Sequence, residues 1–380
     1  MRIAVEAASL VGRRTGVGEL TGQLLARLVE RDDLEVTAFA LTLRGRSALH
    51  DAVRELGGSR VTVRARPLPA RATRALWQRA DLPPIEAWIG RHDLVWGPNF
   101  VVPPTRWAAS VVTVHDLTPL RFPELCSRDT LAYPNLVERA VRRGAWVHAP
   151  SQAVADEVRA WLPRAEVRAV PNGIDHAAIP EPSRWPQLAE CGRALAGAPR
   201  YALAVGTVEP RKDHPTMLAA FDRVAERFDD VHLVVAGPDG WGVSAYESAL
   251  AAMANRDRVV RLGWVERRDL DALLAGAAML VFPSRYEGFG LPPLDAMARG
   301  IPVVTTDLPV LAEVGGDATI RVPVGDADAL AGAMGDLLAS PERCAELAER
   351  GRRRARAFSW ERAADGLVAL FTEAVGAMRS

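Results

Sequence analysis

The chain has 380 residues, 47 Lys+Arg against 47 Asp+Glu, and 49% hydrophobic residues, so it is too long for one hydrophobic core and two domains are the default expectation. Its formal net charge of +0 removes any global field that would draw it to nucleic acid or to an anionic membrane. Three scattered cysteines, Cys126, Cys191 and Cys344, show no CxxC spacing, which argues against a disulfide framework or a thiolate metal site and fits a reducing compartment.

In chain order, Arg2-Ile3-Ala4-Val5 reads as a strand with no basic-then-apolar leader before it. No apolar run reaches the ~20 residues of a membrane helix. The expectation is a cytoplasmic protein with at most peripheral contact at the inner membrane face, where the arginine-rich run from Arg60 to Arg79 could touch an anionic surface or simply be solvated. Strands are expected at Ile3–Val5, Val36–Leu41, Val61–Arg64, Leu94–Trp96, Ser110–Val114 and Trp146–Ala149, then at Tyr201–Val205, Val231–Ala236, Val259–Leu262, Met279–Phe282 and Pro302–Thr305. Amphipathic helices fall between them, at Gly18–Glu30, Thr216–Arg227, Arg268–Ala275 and Ala327–Ala339. Such alternation predicts an α/β fold with parallel sheets covered on both faces. The proline-rich run from Ile179 to Pro186 suits a linker. It gives two doubly wound, Rossmann-like domains, 1–182 and 183–360, and a C-terminal helix over 361–380 free to pack back on the first domain. Ligands of such sheets bind at the C-terminal strand ends, so the expected site is a central cleft between the domains.

The segment from Arg285 to Met297 carries two carboxylates, Glu287 and Asp295, with Gly288, Phe289, Gly290, Leu291, Pro292 and Pro293 between them. Glycine lets a backbone pass close to a ligand, and proline fits the first turn of a helix. A strand, a tight loop and a helix from near Leu294 would aim a positive helix end at an anion. Carboxylates beside it would accept from hydroxyls, and phosphate plus hydroxyls describe a nucleotide sugar. Taken alone, the segment fits ordinary α/β punctuation with a solvated Glu287 equally well.

Three other strand ends bear on the choice. Gly12, Gly16 and Gly18 spell a GxxxGxG loop after the first strand, as in some dinucleotide-binding dehydrogenases. No acidic residue ends the second strand, and no tyrosine is followed by lysine at the Tyr-x-x-x-Lys spacing. The loop therefore reads as a mobile cleft wall. Val114-His115-Asp116 ends a buried strand, so His115 could bond a substrate hydroxyl with Asp116 orienting its ring, or be an ordinary satisfied histidine. Arg211-Lys212 follows Gly206 past another strand, and the two cations suit a diphosphate. Asp326-Ala327-Asp328 spells DxD but precedes a helix, where capping explains it better than a metal. No metal is expected.

Together these segments resemble the retaining glycosyltransferases of the GT-B fold, glycosyltransferase family 4 (group 1), and look mannosyltransferase-like. The resemblance runs through the N-terminal glycine loop, Val112–Pro119, Val170–Asp175, Gly206–Lys212, Leu262–Val265 and Glu287–Asp295. It implies an N-terminal acceptor domain and a C-terminal donor domain, with a hexose moved from a nucleotide diphosphate sugar, GDP-mannose first, to a hydroxyl. No cofactor and no metal are implied. The acceptor would be a saccharide, a lipid-linked molecule or a small molecule, and no nucleic acid takes part. Arg211 and Lys212 would hold the diphosphate, Glu287 the sugar hydroxyls, and Asp295 the ribose. His115 would bond a sugar hydroxyl. Phe289, Gly290 and Leu291 would meet sugar and phosphate through their backbone, Gly206 would help bind the donor, and Gly263 to Val265 would line the base pocket. Gly16 and Gly18 would approach the diphosphate or acceptor on closure. The sequence departs from the family at Asp295, where Glu is common, and at Thr207, where some relatives carry Arg. A sugar-nucleotide epimerase of the same fold and a non-catalytic sugar-nucleotide or glycan binder are the alternatives, and a dehydrogenase ranks last.

Overall fold

The computed structural model describes residues 1–12, 16–42 and 45–379. The chain divides into two units, Met1–Gly173 with Ser359–Ser380, and Ile174–Phe358. No helix among the described residues is long and apolar enough to cross a membrane.

The first unit holds seven strands: β1 (Arg2–Glu6), β2 (Glu35–Leu41), β3 (Val61–Arg66), β4 (Leu94–Gly97), β5 (Ala109–Thr113), β6 (Trp146–Ala149) and β7 (Val167–Ala169). They form one parallel sheet in the order β3-β2-β1-β4-β5-β6-β7. The inner strands are near-continuous runs of Val, Ile, Ala and Leu, and β4 is buried throughout, as a sheet covered on both faces requires. Edge strand β3 alternates half-buried with exposed residues. A buried polar chain crosses three strands. Trp96 Nε1 donates to Thr113 Oγ1 (2.9 Å), whose hydroxyl donates to His148 Nδ1 (2.9 Å). His148 Nε2 donates to the Val170 carbonyl (3.0 Å). Since a carbonyl only accepts, the imidazole proton sits on Nε2.

The last helix, Trp360–Arg379, belongs to this unit. It lies along the helix Gly16–Glu30 through Arg27–Glu361 (3.2 Å) and Arg31–Asp365 (2.6 Å), and Phe371 packs 5.7 Å from Trp96. At Gly173 a Cβ would lie 2.1 Å from the Ser359 carbonyl carbon, so the outgoing and returning chain can run side by side only with glycine there.

The second unit holds β8 (Arg200–Val205), β9 (Val231–Ala236), β10 (Val259–Gly263), β11 (Met279–Phe282), β12 (Val303–Thr306) and β13 (Ile320–Val322), parallel in the order β10-β9-β8-β11-β12-β13. The expected strands are all present, three with the expected bounds and the rest with ends moved by one or two residues. β7 and β13 were not expected, because three residues are too few to show a pattern. The proline-rich run lies inside the second unit. It opens the helix Trp185–Ala196, with Trp185 Nε1 donating to the Pro180 carbonyl (3.0 Å). The passage between units falls earlier than the prolines, at Gly173–Ile174, and the return falls at Phe358–Ser359.

Candidate active site

In the second sheet the strand order reverses between β8 and β11, and a crevice at the C-terminal ends of such strands is where open α/β sheets take ligands. Both candidate motifs emerge there. After β8, Gly206 leads to a single turn at Pro210–Lys212 and then to the helix His214–Ala225. Between them Asp213 adopts φ +50°, a left-handed conformation that a non-glycine residue holds only when its surroundings fix it. That kink turns Arg211 and Lys212 toward the loop after β11, where the Arg285 N–H donates to the Arg211 carbonyl (2.8 Å).

The loop after β11 carries Glu287, whose side chain is 8% exposed. Glu287 Oε1 accepts from Lys212 Nζ (2.6 Å) and lies 2.8 Å from Arg211 Nη1. Arg211 also donates to Glu209 Oε1 (2.6 Å) and to the Tyr286 carbonyl (2.9 Å). Lys212 Nζ sits 4.3 Å from the centre of the Phe282 ring. Burial raises the Glu287 carboxyl, but Arg211 and Lys212 outweigh it and hold it at about 2. Burial also lowers the Lys212 ammonium, a pull that Glu287 opposes. The cluster is an ionised carboxylate gripped by two cations.

Gly290 at φ +97° precedes the helix Leu291–Ala298, and a Cβ there would lie 2.8 Å from Leu311 Cδ2. The helix therefore starts at Leu291, ahead of the expected Leu294. Pro292 and Pro293 occupy its first turn, where missing N–H groups leave no bond unmade. The Phe289 side chain turns into the core against Phe358 (5.8 Å), leaving its backbone on the loop. One turn on, Asp295 joins a square of charges. Asp295 pairs with Arg299, which caps the end of its helix, and with Arg267 (3.2 Å), and Asp271 pairs with Arg299 (2.8 Å) and with Arg267 (3.0 Å). The Arg299 side chain is 1% exposed. Both Asp295 oxygens face cations, which the sequence reading did not foresee. Gly263 ends β10, and half-buried Val265 lies between it and the helix Arg267–Gly276.

The remaining predicted residues lie in the first unit. His115 follows β5, its Nε2 donating to the Pro98 carbonyl (2.7 Å) and its ring 5.5 Å from Phe100. Burial lowers its pKa against the pull of Pro98 and Asp116, so the neutral ring offers Nδ1 as an acceptor. The expectation that Asp116 orients the ring is corrected. Asp116 Oδ1 accepts from the Thr118 N–H (2.8 Å), and the Pro98 carbonyl holds the imidazole. Gly16 and Gly18 are not loop residues, because the helix already begins at Gly16. Arg13, Arg14 and Thr15 lie outside the described residues.

Asp326 Oδ1 accepts from Ala329 N (2.9 Å) and caps the helix Ala327–Ala339, while Asp328 pairs with Arg223 (3.2 Å). Among the described residues no group of three or more His, Cys, Asp or Glu is placed to hold a metal ion. Sequence reasoning missed Glu209, Arg267, Asp271 and Arg299. Of these, Arg299 was findable, standing four residues after Asp295 at the spacing of a helical ion pair.

Residues 193–354 match the family model of glycosyl transferases group 1, and residues 14–178 that of glycosyltransferase family 4. The chain is 30% identical over 311 residues to the O-antigen chain mannosyltransferase B of Escherichia coli, covering 79% of this chain and 78% of that protein. It is 30% identical over 225 residues to the serotype-specific mannosyltransferase WbdA of Escherichia coli, covering 54% of this chain and 27% of that one. Among solved structures, sucrose-phosphate synthase from Thermosynechococcus elongatus matches 99% of each chain with a TM-score of 0.74 at 21% identity, a likeness of fold.

Proposed function

The chain belongs to the group 1 glycosyl transferases, glycosyltransferase family 4, with the GT-B fold, and we propose that it transfers mannose from GDP-mannose to a glycan hydroxyl, retaining the anomeric configuration and needing no metal ion. The observation that carries this reading is the grip of Arg211 and Lys212 on Glu287 at the strand-order reversal. A buried, fully ionised carboxylate accepts strongly from sugar hydroxyls. The adjacent cations are placed to neutralise charge on a departing diphosphate, the task a metal performs elsewhere. Lys212 has three N–H bonds and gives one to Glu287, leaving two for phosphate oxygens. Asp295 has lone pairs beyond those its cations use, so ribose hydroxyls can still bond to it. Mannose is favoured by the relatives that are mannosyltransferases.

In this reaction the bond from the anomeric carbon to the diphosphate oxygen breaks and the diphosphate leaves with the electron pair. The acceptor oxygen bonds to the same face, and its proton passes to a phosphate oxygen. The test is thermal stability and nucleotide release with a panel of nucleotide sugars in EDTA. GDP-mannose should stabilise most, by about 2.7 kcal/mol at a hundred times its Kd, and should release GDP when a mannose-terminated acceptor is added. Stabilisation by UDP-sugars alone would reassign the donor, and turnover only with Mg²⁺ or Mn²⁺ would overturn the metal-free mechanism.

A further inference from the structure

The loop from Glu287 to Leu291 joins the carboxylate–cation cluster to the helix Leu291–Ala298. Among the described residues the N–H groups of buried Gly290 and half-buried Leu291 donate to no acceptor in the chain, and Pro292 and Pro293 behind them have none to give. A buried N–H without a partner is costly, so these two groups call for a ligand acceptor beside Glu287, and the positive end of the helix favours an anionic oxygen. What holds them there is a ring of side-chain contacts that closes within the second unit.

We propose that Arg354 is a positioning residue for donor binding: through Phe358 and the helix Pro309–Gly315 it holds the Phe289–Gly290 turn where those N–H groups meet the diphosphate. The inference rests on the nucleotide-sugar reading and deepens it. Arg354 stands in the last turn of the helix Pro341–Ala355, where a cation suits the helix's own carboxyl end. Its side chain goes elsewhere. Arg354 Nε donates to the Val314 carbonyl (3.0 Å) and Nη2 to the Glu313 carbonyl, at the end of Pro309–Gly315. The same half-buried guanidinium lies 5.0 Å from the centre of the Phe358 ring. A planar fork can stack on a ring while its edge bonds to carbonyls.

Both partners of Arg354 touch the loop. The buried ring of Phe358 meets the buried ring of Phe289 edge-on, at 5.8 Å with 76° between planes. Leu311, in the helix whose end Arg354 holds, covers Gly290 so closely that a Cβ there would lie 2.8 Å from its Cδ2. Phe289 is thus held by one partner and Gly290 by the other, and Arg354 joins the two. Phe358 is fixed through its backbone as well, its carbonyl accepting from His176 Nε2 (2.9 Å). Loosening Arg354 therefore frees the turn at two points while leaving Glu287, Arg211 and Lys212 with the partners they have. Arg353, the residue before it, is exposed and carries the same charge.

The test uses the full chain with GDP and guanosine as probes, binding read by calorimetry, and hydrogen exchange of the nucleotide-free protein read by mass spectrometry. In Arg354→Ala the Kd of GDP should rise about tenfold or more, whereas guanosine, which lacks the diphosphate, should bind within about twofold of wild type. Arg353→Ala removes the same charge and should leave both unchanged. Arg354→Lys keeps a cation near Phe358 without the fork and should fall between. Phe358→Leu should weaken GDP in the same selective way, which keeps the comparison open if Arg354→Ala is unstable. Amide exchange over 288–294 should quicken in Arg354→Ala while β9 exchanges as before. A wild type that prefers UDP makes UDP and uridine the pair to compare. Unchanged diphosphate binding in Arg354→Ala, an equal loss of nucleotide and nucleoside, or unchanged exchange over 288–294 would each overturn the proposal. A wild type that binds no nucleoside diphosphate would instead strike the donor reading, and the exchange result would still judge whether Arg354 holds the turn.

Discussion

At the scale of single residues, the cluster of Arg211, Lys212 and Glu287 makes one carboxylate answer to two cations, and the variants differ accordingly. Glu287→Ala would leave Lys212 buried beside Arg211 with its counter-charge gone, and breaking a buried pair in this way costs about 3–5 kcal/mol. Its loss of turnover would therefore come with a clear fall in Tm. Lys212→Met keeps the aliphatic stem and leaves Glu287 paired with Arg211 at 2.8 Å. We expect its turnover to drop by roughly 10²–10³, the loss typical of removing one charge-stabilising donor, with Tm within a few degrees of wild type. Paired calorimetry and single-turnover assays distinguish the two variants, and a wild-type rate in Lys212→Met would remove Lys212 from the mechanism. The motifs themselves were legible in the sequence, because Arg-Lys and the spaced carboxylates each follow a recognisable strand end. Their mutual pairing was not, since Lys212 and Glu287 stand 75 residues apart. Asp295 shows the same limit. Arg299 could be read off at helical spacing, but Arg267 and Asp271 arrive from a different helix, and only tertiary packing brings them in.

At the scale of elements, the Trp96–Thr113–His148–Val170 chain ties β4, β5 and β6 and the segment after β7 together with every buried donor and acceptor matched. Its weak point is acid. Burial lowers the His148 pKa from 6.5 to about 4, against the bond to Val170. The unfolded chain binds that proton below pH 6.5 and the folded chain only near pH 4. His148 thus favours folding fully above pH 6.5, and this contribution is lost as pH falls from 6.5 toward 4. At roughly 1.4 kcal/mol per pH unit the loss approaches 3 kcal/mol. His214 in the second unit is lowered likewise, by burial first and then by Lys212 and Arg261, so the wild type alone cannot assign the effect. Urea denaturation at pH 7 and pH 4 should show His148→Gln losing less stability on acidification than wild type; an equal loss in both would absolve His148. Sequence patterning anticipated these strands because each is a run of apolar residues. It did not anticipate the polar chain, since a lone Thr and a lone His on neighbouring strands carry no periodic signal.

At the scale of the whole molecule, two parallel sheets each reverse their strand order once, and the second places Arg211, Lys212 and Glu287 at that reversal. The alternation of strands and helices made both sheets legible, because short apolar runs bounded by loops favour that architecture over others. The sequence left the last helix free to pack back on the first domain, but its amphipathic face states that it packs without stating against which residues. The structure answers with Leu367, Leu370 and Phe371, all buried within the first unit. The first unit is therefore closed by residues that follow the whole second unit in sequence. A chain ending at Phe358 should leave the first unit without that cover. Burial of a Leu or Phe side chain contributes about 1.5–3 kcal/mol, so three of them represent roughly 5 kcal/mol or more, a large share of a domain's net stability. Thermal unfolding of the truncated chain should lose or sharply lower the transition of the first unit, while stabilisation by GDP-mannose, read on the second unit, persists. If both transitions stayed in place, the helix would be an accessory rather than part of the first unit's core.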